Sequence, residues 1–201
     1  MIGAYKKIKV IGTGSLGVVW LVQDQTTGKH YAAKLTKLHP EQDILKDIHL
    51  NINIMKKLKS LYFVEYITDF KEDEYYVIIM EYCTGGSMRN LIDEHIETGF
   101  GISEGEIKKY IGEVSKGISL LHSENIVHGN IKPENILFDK KKRIKIADVG
   151  MFRTTTQLEL QGMFSCYESP EQLQEQPSDI AMDVWSLGCV LYELCSLEVR
   201  I

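Results

Sequence analysis

The sequence predicts an α+β protein of two lobes, in which a β-rich first part precedes an α-rich second part. Up to residue 82, runs of β-branched and aromatic residues alternate with turn residues, and one segment has helical periodicity. After the breaker Thr84-Gly85-Gly86, apolar residues recur mainly at helical spacing. The composition, with 44% hydrophobic and 25% charged residues in 201, is that of a globular protein and excludes a disordered or collagen-like chain.

The first lobe, residues 1–82, is expected to contain a five-stranded sheet and one helix. The helix is predicted over residues 41–58, where apolar residues recur every three or four positions. The acidic turn at 71–74 separates the last two strands. The expected strands cover residues 5–11, 18–22, 30–35, 64–70 and 75–81.

The second lobe, residues 83–201, is expected to be mainly helical. One of its helices begins with Ser103 and Glu106 in a capping-box pattern. A loop is predicted over residues 149–168, after two short strands at 136–139 and 143–147. The predicted helices cover residues 87–95, 103–122 and 183–197.

Charge, hydropathy and cysteine usage exclude several classes of function. The net charge of -5 argues against nucleic-acid binding, which depends on neutralising phosphates. No apolar run approaches the roughly 18 residues of a membrane-spanning helix, and the N-terminus lacks a signal-peptide pattern. The four cysteines have no paired spacing, so we expect neither a disulfide framework nor a zinc site. These features favour a cytoplasmic location, without excluding the nucleus, and leave the oligomeric state open.

A glycine-rich segment over residues 12–17 fits the pattern G-x-G-x-x-G. Taken alone, it could be a simple tight turn. Residues 18–22 after it read as a strand rather than a helix, which argues against a dinucleotide-binding fold, and no G-K-[ST] sequence supports a P-loop. A glycine loop between two strands favours a flap over ATP, because the missing Cβ atoms let backbone approach phosphates. Lys34, after three apolar residues in the next strand, is then interpreted as a phosphate ligand.

Four later motifs occur in an order that identifies a family resemblance. Residues 128–135, H-G-N-I-K-P-E-N, are similar to the catalytic loop of eukaryotic protein kinases, and 147–150, A-D-V-G, resemble their magnesium-binding D-F-G. Residues 169–171 resemble A-P-E, and 183–188 resemble the D-x-W-S-x-G helix. The K-P-E-N run indicates the serine/threonine branch, and residues 76–86 look like the hinge of a NIMA-related or calmodulin-dependent kinase. The resemblance covers residues 5–197 and implies a two-lobed protein-kinase-like fold.

The resemblance also implies a role for individual residues. Bound ATP and Mg²⁺ would be the cofactors, and a protein substrate or protein partner would be expected. Position 130, here Asn130, is that of the proton acceptor, and Lys132 is the second catalytic position. Asn135 and Asp148 would hold the metal. The remaining cofactor-binding residues would be Ile11, Gly12, Gly14, Gly17, Val19, Ala32, Lys34, Glu81, Cys83 and Leu137.

Several positions depart from the family pattern. Asn130 replaces the catalytic aspartate, and Asn51 replaces the helix glutamate that pairs with Lys34. Gly129 replaces the arginine that receives an activation-loop phosphate, and Phe164 replaces a threonine. The groups that bind nucleotide and metal are kept, whereas the groups that transfer phosphate are changed. This pattern favours a pseudokinase with an allosteric or scaffolding role.

Two other interpretations stay open. The chain could be an active protein serine/threonine kinase with atypical residues. It could also be an inactive gene fragment, because the sequence stops at Ile201 whereas the family's second lobe continues with further helices. The second lobe is therefore expected to be incomplete at its C-terminus.

Overall fold

The protein divides into two compact units. The computed structural model describes residues 1–14, 17–38, 44–149, 166–174, 176 and 179–198. The first unit comprises Met1–Lys59 and Val64–Tyr82, and the second comprises Ser60–Phe63 and Cys83–Ile201. The first is an antiparallel sheet with one helix and the second is mainly helical, which confirms the predicted α+β fold class.

The first unit contains a five-stranded antiparallel sheet with strand order β1-β2-β3-β5-β4. Its helix α1, Ile44–Lys57, lies between β3 and β4 in the chain. The predicted strands are all present, and β1 extends past residue 11 because the glycine segment itself pairs with β2. The strand bounds are β1 Tyr5–Gly14, β2 Gly17–Asp24, β3 His30–Lys37, β4 Tyr66–Glu72 and β5 Tyr75–Glu81.

One buried core layer of the first unit lies on one face of this sheet. Alternate residues of β2, β3 and β5 point to that face because side chains alternate along a strand. Complete burial of a branched aliphatic side chain contributes roughly 1.5–3 kcal/mol, so this layer contributes strongly to the stability of the unit. Its buried members are Ile2, Val22, Ala33, Leu35, Val77 and Ile79.

The second unit contains four helices, one 3₁₀ turn and a two-stranded sheet within its described part. Helix α5 begins at Ile180, earlier than predicted, because the Asp179 side chain accepts a hydrogen bond from the Ala181 N–H and caps it. Within the described ranges, no helix combines the length and apolar character needed to cross a membrane. The elements are α2 Met88–Thr98, α3 Glu104–Ser123, the turn Pro133–Asn135, β6 Ile136–Phe138, β7 Ile144–Ile146, α4 Pro170–Leu173 and α5 Ile180–Ser196.

Residues 60–63 belong to the second unit, although the sequence-based division at residue 82 assigns them to the first lobe. The Ile146 N–H donates to the Tyr62 carbonyl at 2.7 Å, and Lys145 Nζ donates to the Phe63 carbonyl at 3.2 Å. Helix α3 approaches the same place closely, since a Cβ atom added to Gly117 would lie 2.5 Å from Ile146 Cδ1. These long-range contacts hold the segment, and local sequence carries no signal for them.

Candidate functional site

The glycine segment forms the end of the β1–β2 hairpin. Gly14 pairs with Gly17, and Gly12 lies opposite Val19. Gly17 has φ +139°, and a Cβ atom there would lie 1.9 Å from the Leu35 carbonyl oxygen. The backbone can therefore approach β3 at this point only with glycine. Ile11 lies at a register irregularity of β1 and is partly exposed, and residues 15–16 at the tip lie outside the described residues.

The first unit brings Val19, Ala32 and Lys34 together on the sheet face opposite the core. Val19 is the cross-strand partner of Lys34, and directly opposed residues share a face. Ala32 is two residues from Lys34 on the same strand and therefore points the same way. Lys34 is buried, with 8% of its surface exposed. Burial of an ammonium group is costly unless it has an anionic or dipolar partner, so a lysine at this position requires polar surroundings.

Asn51 lies on the buried face of helix α1 and leaves a polar atom unsatisfied. Its Oδ1 atom is buried and accepts no hydrogen bond. Lys34 therefore does not donate to this oxygen. Asp47, one turn earlier on α1, is exposed, whereas Lys34 is buried. An orphaned buried carbonyl costs about 1–3 kcal/mol, so the Oδ1 atom of Asn51 does not contribute a stabilising bond between helix and sheet.

Three of the predicted cofactor-binding positions, Glu81, Cys83 and Leu137, are divided between the units. In the first unit, Glu81 ends β5 opposite Tyr31, and its N–H donates to the Glu65 carbonyl at 2.9 Å. In the second unit, Cys83 is buried, and Leu137 is half-buried on β6 opposite Lys145.

In the second unit, a buried carboxylate holds the backbone of the predicted catalytic loop. Asp183 Oδ2 accepts from the His128 N–H and Asp183 Oδ1 accepts from the Gly129 N–H, both at 2.8 Å. His122 Nε2 lies 2.8 Å from Oδ2, on the same carboxylate. Asp183 is fully buried on α5, so its charge is compensated by these three donors. Gly129 has φ +73°, a conformation that glycine adopts without strain.

His128 is a neutral, fully buried imidazole with a defined tautomer. Its Nε2 lies 3.0 Å from the Ala147 carbonyl, which can only accept, so Nε2 carries the proton. Its Nδ1 then accepts from the Asn130 N–H at 3.2 Å. Burial lowers the pKa of His128, although the Asp183 carboxylate and the bond to Ala147 oppose the shift. The ring therefore links the catalytic loop to the residue before Asp148.

The two predicted metal ligands are joined through the backbone. The Ala147 N–H donates to the Asn135 carbonyl at 2.9 Å, which fixes Asp148, the next residue, near the 3₁₀ turn. Asn135 Nδ2 donates to the Asn130 carbonyl at 2.8 Å, so Oδ1 is the atom of this buried amide that remains for a cation. Asp148 adopts a left-handed conformation with φ +59°.

An amide oxygen and a carboxylate are hard donors that suit Mg²⁺, which usually takes one or two carboxylates together with substrate phosphates. A self-sufficient metal site is not present in the described part of the chain, where no group of three or more His, Cys, Asp or Glu side chains could hold an ion. The donor set of Asn135 and Asp148 therefore fits Mg²⁺.

The two predicted catalytic side chains, Asn130 and Lys132, precede this pair along the chain. Asn130 is half-buried, and both its N–H and its carbonyl are engaged as described above. Lys132 is half-buried and extended, with φ -161°, just before the 3₁₀ turn. Phe164 and residues 150–165 of the predicted 149–168 loop lie outside the described residues.

Sequence reasoning missed a second charged cluster around Arg89 on α2. Arg89 Nε lies 3.0 Å from Glu134 Oε1 in the loop, and Arg89 Nη2 donates to Tyr167 Oη at 2.7 Å. Nη1 also forms an ion pair, at 2.7 Å, with the nearly fully buried Glu193 of α5, which accepts from Tyr167 Oη as well. Burial lowers the pKa of Arg89, but the bonds to Glu193 and Glu134 outweigh it and the pKa lies above its ordinary value.

The Arg89 cluster connects α2, the catalytic loop, Tyr167 and α5. The available signal was Glu193, a carboxylate within the apolar α5 sequence, because a buried carboxylate requires a cation or donors.

A family model and the curated relatives described below agree on the same family. A family model described as the protein kinase domain matches residues 5–199. The serine/threonine-protein kinase Nek5 of Mus musculus is 32% identical over 197 residues, which cover 95% of this chain and 30% of that protein. The serine/threonine-protein kinase nekl-2 of Caenorhabditis elegans is 31% identical over 208 aligned positions, covering 96% and 58%. The cAMP-dependent protein kinase catalytic subunit of Dictyostelium discoideum is 32% identical, covering 94% and 29%.

The chain thus spans between 29% and 58% of the length of these curated relatives. Two of the three carry Nek or nekl names, which favours the NIMA-related branch of the predicted alternatives over the calmodulin-dependent one.

Proposed function

Because the chain belongs to the protein kinase family, we propose that it binds ATP with Mg²⁺ and is impaired in phosphate transfer to protein serine and threonine hydroxyls. Its role would then be that of a nucleotide-dependent module that binds a protein partner. The observation that carries the proposal is the amide at position 130, in a loop whose backbone is held by Asp183 and Asn135.

The nucleotide-binding half of the proposal follows from the groups that are kept. When bound, Mg·ATP supplies the phosphoryl group and the metal neutralises the charge that develops on it. The Asn135 amide oxygen and the Asp148 carboxylate would hold the cation. Lys34 would hold phosphate oxygens through its ammonium group, and the hairpin glycines would let backbone approach them.

The impaired-transfer half follows from Asn130. A carboxylate at this position accepts the proton of the substrate hydroxyl and orients it, whereas a carboxamide is not basic. General-base catalysis contributes about 10²–10⁴ in rate, or roughly 3–5 kcal/mol. Applied to kinase rates of about 1–100 s⁻¹, the loss leaves on the order of 10⁻⁴–1 s⁻¹. Asn51 adds to the deficit because it provides no anion to orient Lys34.

An active serine/threonine kinase is the second candidate. It is favoured by the complete set of backbone hydrogen bonds around residues 128–130, together with the retained Lys132. A loop held in this way could still position a hydroxyl group, and positioning alone accounts for much of phosphoryl-transfer catalysis.

The test is nucleotide binding followed by phosphotransfer on the same sample. Calorimetric titration with ATP, in Mg²⁺ and in chelator, should give binding that weakens in Lys34→Ala and Asp148→Ala by roughly 10- to 150-fold, the effect of one hydrogen bond to a charged group. Lys37→Ala is the matched control, since Lys37 lies on the same strand but is exposed and pairs with Glu74 at 3.2 Å.

Absence of Mg·ATP binding by folded protein would refute the binding proposal. Phosphotransfer to a protein substrate within the ordinary range of about 1–100 s⁻¹ would refute the impairment and select the active kinase.

A further inference from the structure

A polar cluster joins helix α1 to strands β4 and β5 of the first unit. The Asp69 carboxylate accepts from Tyr76 Oη at 2.6 Å and also from Tyr66 Oη. Lys56, in the last turn of α1, places Nζ 3.5 Å from Asp69 Oδ1 and 4.7 Å from the centroid of the Tyr66 ring. We call these four residues, Lys56, Tyr66, Asp69 and Tyr76, the Asp69 cluster.

The Asp69 cluster lies on the same sheet face as Lys34. Asp69 is the cross-strand partner of Ile78, which is in turn the partner of Lys34, and directly opposed residues share a face. Tyr76 pairs with Thr36, two residues along β3 from Lys34. The cluster therefore shares a sheet face with the lysine, and Asp69 lies two strands away from it, about 10 Å by strand spacing.

Helix α1 contacts this face at a second point. The His49 ring packs edge-to-face on the Tyr76 ring, with centroids 5.6 Å apart and an interplanar angle of 78°. His49 and Lys56 are seven residues apart, which is two helical turns, so they lie on one side of α1. These two contacts, made by exposed side chains two turns apart, add to the buried face of α1 in restraining the rotation of the helix.

The charge state of the cluster strengthens these contacts. Burial raises the pKa of Tyr76, and the hydrogen bond to the Asp69 carboxylate raises it further, to about 12. Burial opposes ionisation of Asp69, but the hydrogen bonds from both phenols outweigh it and lower its pKa. At neutral pH a carboxylate thus accepts from two neutral phenols, and charge-assisted bonds of this kind are about twice as strong as neutral ones.

By contrast, Asn51 on the buried face of the same helix has an Oδ1 atom with no hydrogen-bond partner. We propose that the Asp69 cluster sets the position of helix α1 on the sheet, and that Asp69 is a positioning residue for the Lys34 side of the nucleotide site. Its effect on nucleotide affinity rests on the function proposed above, whereas its effect on the helix does not.

The test is amide hydrogen exchange on the full chain, read by mass spectrometry, for Asp69→Asn. The side chain keeps its shape but loses the charge that holds two phenols and an ammonium. We expect exchange over residues 44–57 to become about three- to fivefold faster, because the ion pair with the half-exposed Lys56 contributes up to about 1 kcal/mol, with β1 to β3 within about twofold of the unchanged protein. Asp73→Asn is the matched control, because Asp73 lies exposed in the β4–β5 turn at φ 51°, where asparagine is tolerated.

Tyr76→Phe is a milder second variant that decides the question if Asp69→Asn does not fold. It removes one donor to Asp69 and keeps the ring against His49, so we expect exchange about threefold or more faster in β4, β5 and α1, with β1 to β3 unchanged. Tyr75→Phe, on the opposite face of the same strand, is its control and should leave α1 unchanged.

Exchange in α1 within about twofold of the unchanged protein, or an equal acceleration of α1 and of β1 to β3, would overturn the proposal. Calorimetric titration with Mg·ATP on the same variants should show weaker binding in Asp69→Asn than in Asp73→Asn. If the unchanged protein binds no nucleotide, the proposed function fails, and hydrogen exchange alone still decides whether the cluster positions the helix.

Discussion

Replacing Asp183 by asparagine should destabilise the second unit strongly, although the change is nearly isosteric. The carboxylate is fully buried and accepts three hydrogen bonds, from the His128 and Gly129 N–H groups and from His122. An asparagine side chain offers one accepting oxygen, so its NH₂ group must face at least one of these donors.

The magnitude follows from that geometry. If the oxygen occupies the Oδ2 position, two of the 2.8 Å bonds persist in weaker, neutral form, and the Gly129 N–H faces another donor. A hydrogen bond to a charged group is worth about 1.5–3 kcal/mol, and an orphaned buried donor costs about 1–3 kcal/mol. Asparagine has a smaller desolvation cost than a carboxylate, which offsets part of the loss. We therefore expect a decrease of about 2–5 kcal/mol in the free energy of unfolding, against a total of about 5–15 kcal/mol for a typical protein.

The measurement is urea unfolding followed by tryptophan fluorescence. The chain has two tryptophans, Trp20 in the first unit and Trp185 on α5, so a Trp20→Phe background makes the signal specific for the second unit. Asp179→Asn is the matched control, since Asp179 caps the same helix and asparagine caps as well as aspartate. A difference of less than about 1 kcal/mol between the two variants would refute the reasoning that this carboxylate holds the catalytic loop.

Two further outcomes test the loop. Asn130→Asp alone should leave phosphotransfer below about 1 s⁻¹, because Asn51 and Gly129 remain unchanged and the effects of residues that act as a unit are not additive. An ordinary kinase rate in this variant would show that Asn51 and Gly129 do not limit phosphotransfer. Because burial lowers the pKa of His128, the folded state keeps it neutral, whereas the unfolded chain binds a proton below about pH 6.5. The contribution of neutral His128 to the free energy of unfolding is therefore present above that pH and is lost as the pH falls. The loss is at most about 1.4 kcal/mol per pH unit. Urea unfolding that gives a constant free energy between about pH 7.5 and 5 would contradict this prediction.

The sequence was sufficient for the elements of the fold and for the chemistry of individual positions. Strands and helices follow from local periodicity, which depends on residues only a few positions apart. The N-cap of α3 is equally local, since the Ser103 side chain accepts from the Glu106 N–H as the sequence pattern predicts. The motifs around Asn130 and Asp148 likewise show which chemical groups the loop carries. Gly17 indicates a position where two backbone segments lie close together.

Tertiary structure decided which distant groups meet. Arg89 contacts a tyrosine 78 residues away, and Asp183 holds N–H groups more than 50 residues earlier. The sequence near Arg89 or Asp183 does not specify the partner of that residue. A charged residue that becomes buried requires a partner, but its local sequence does not say which one.

The same distinction applies to helix α1 and to residues 60–63. Periodicity predicted the helix, but its contact with Asp69 depends on the register of β4 against β5, and a shift of one residue would turn that carboxylate to the other face. Residues 60–63 belong to the second unit because their backbone carbonyls accept from β7. Backbone groups are alike in every residue, so the sequence could predict that these carbonyls need donors, and only the folded chain determined which ones.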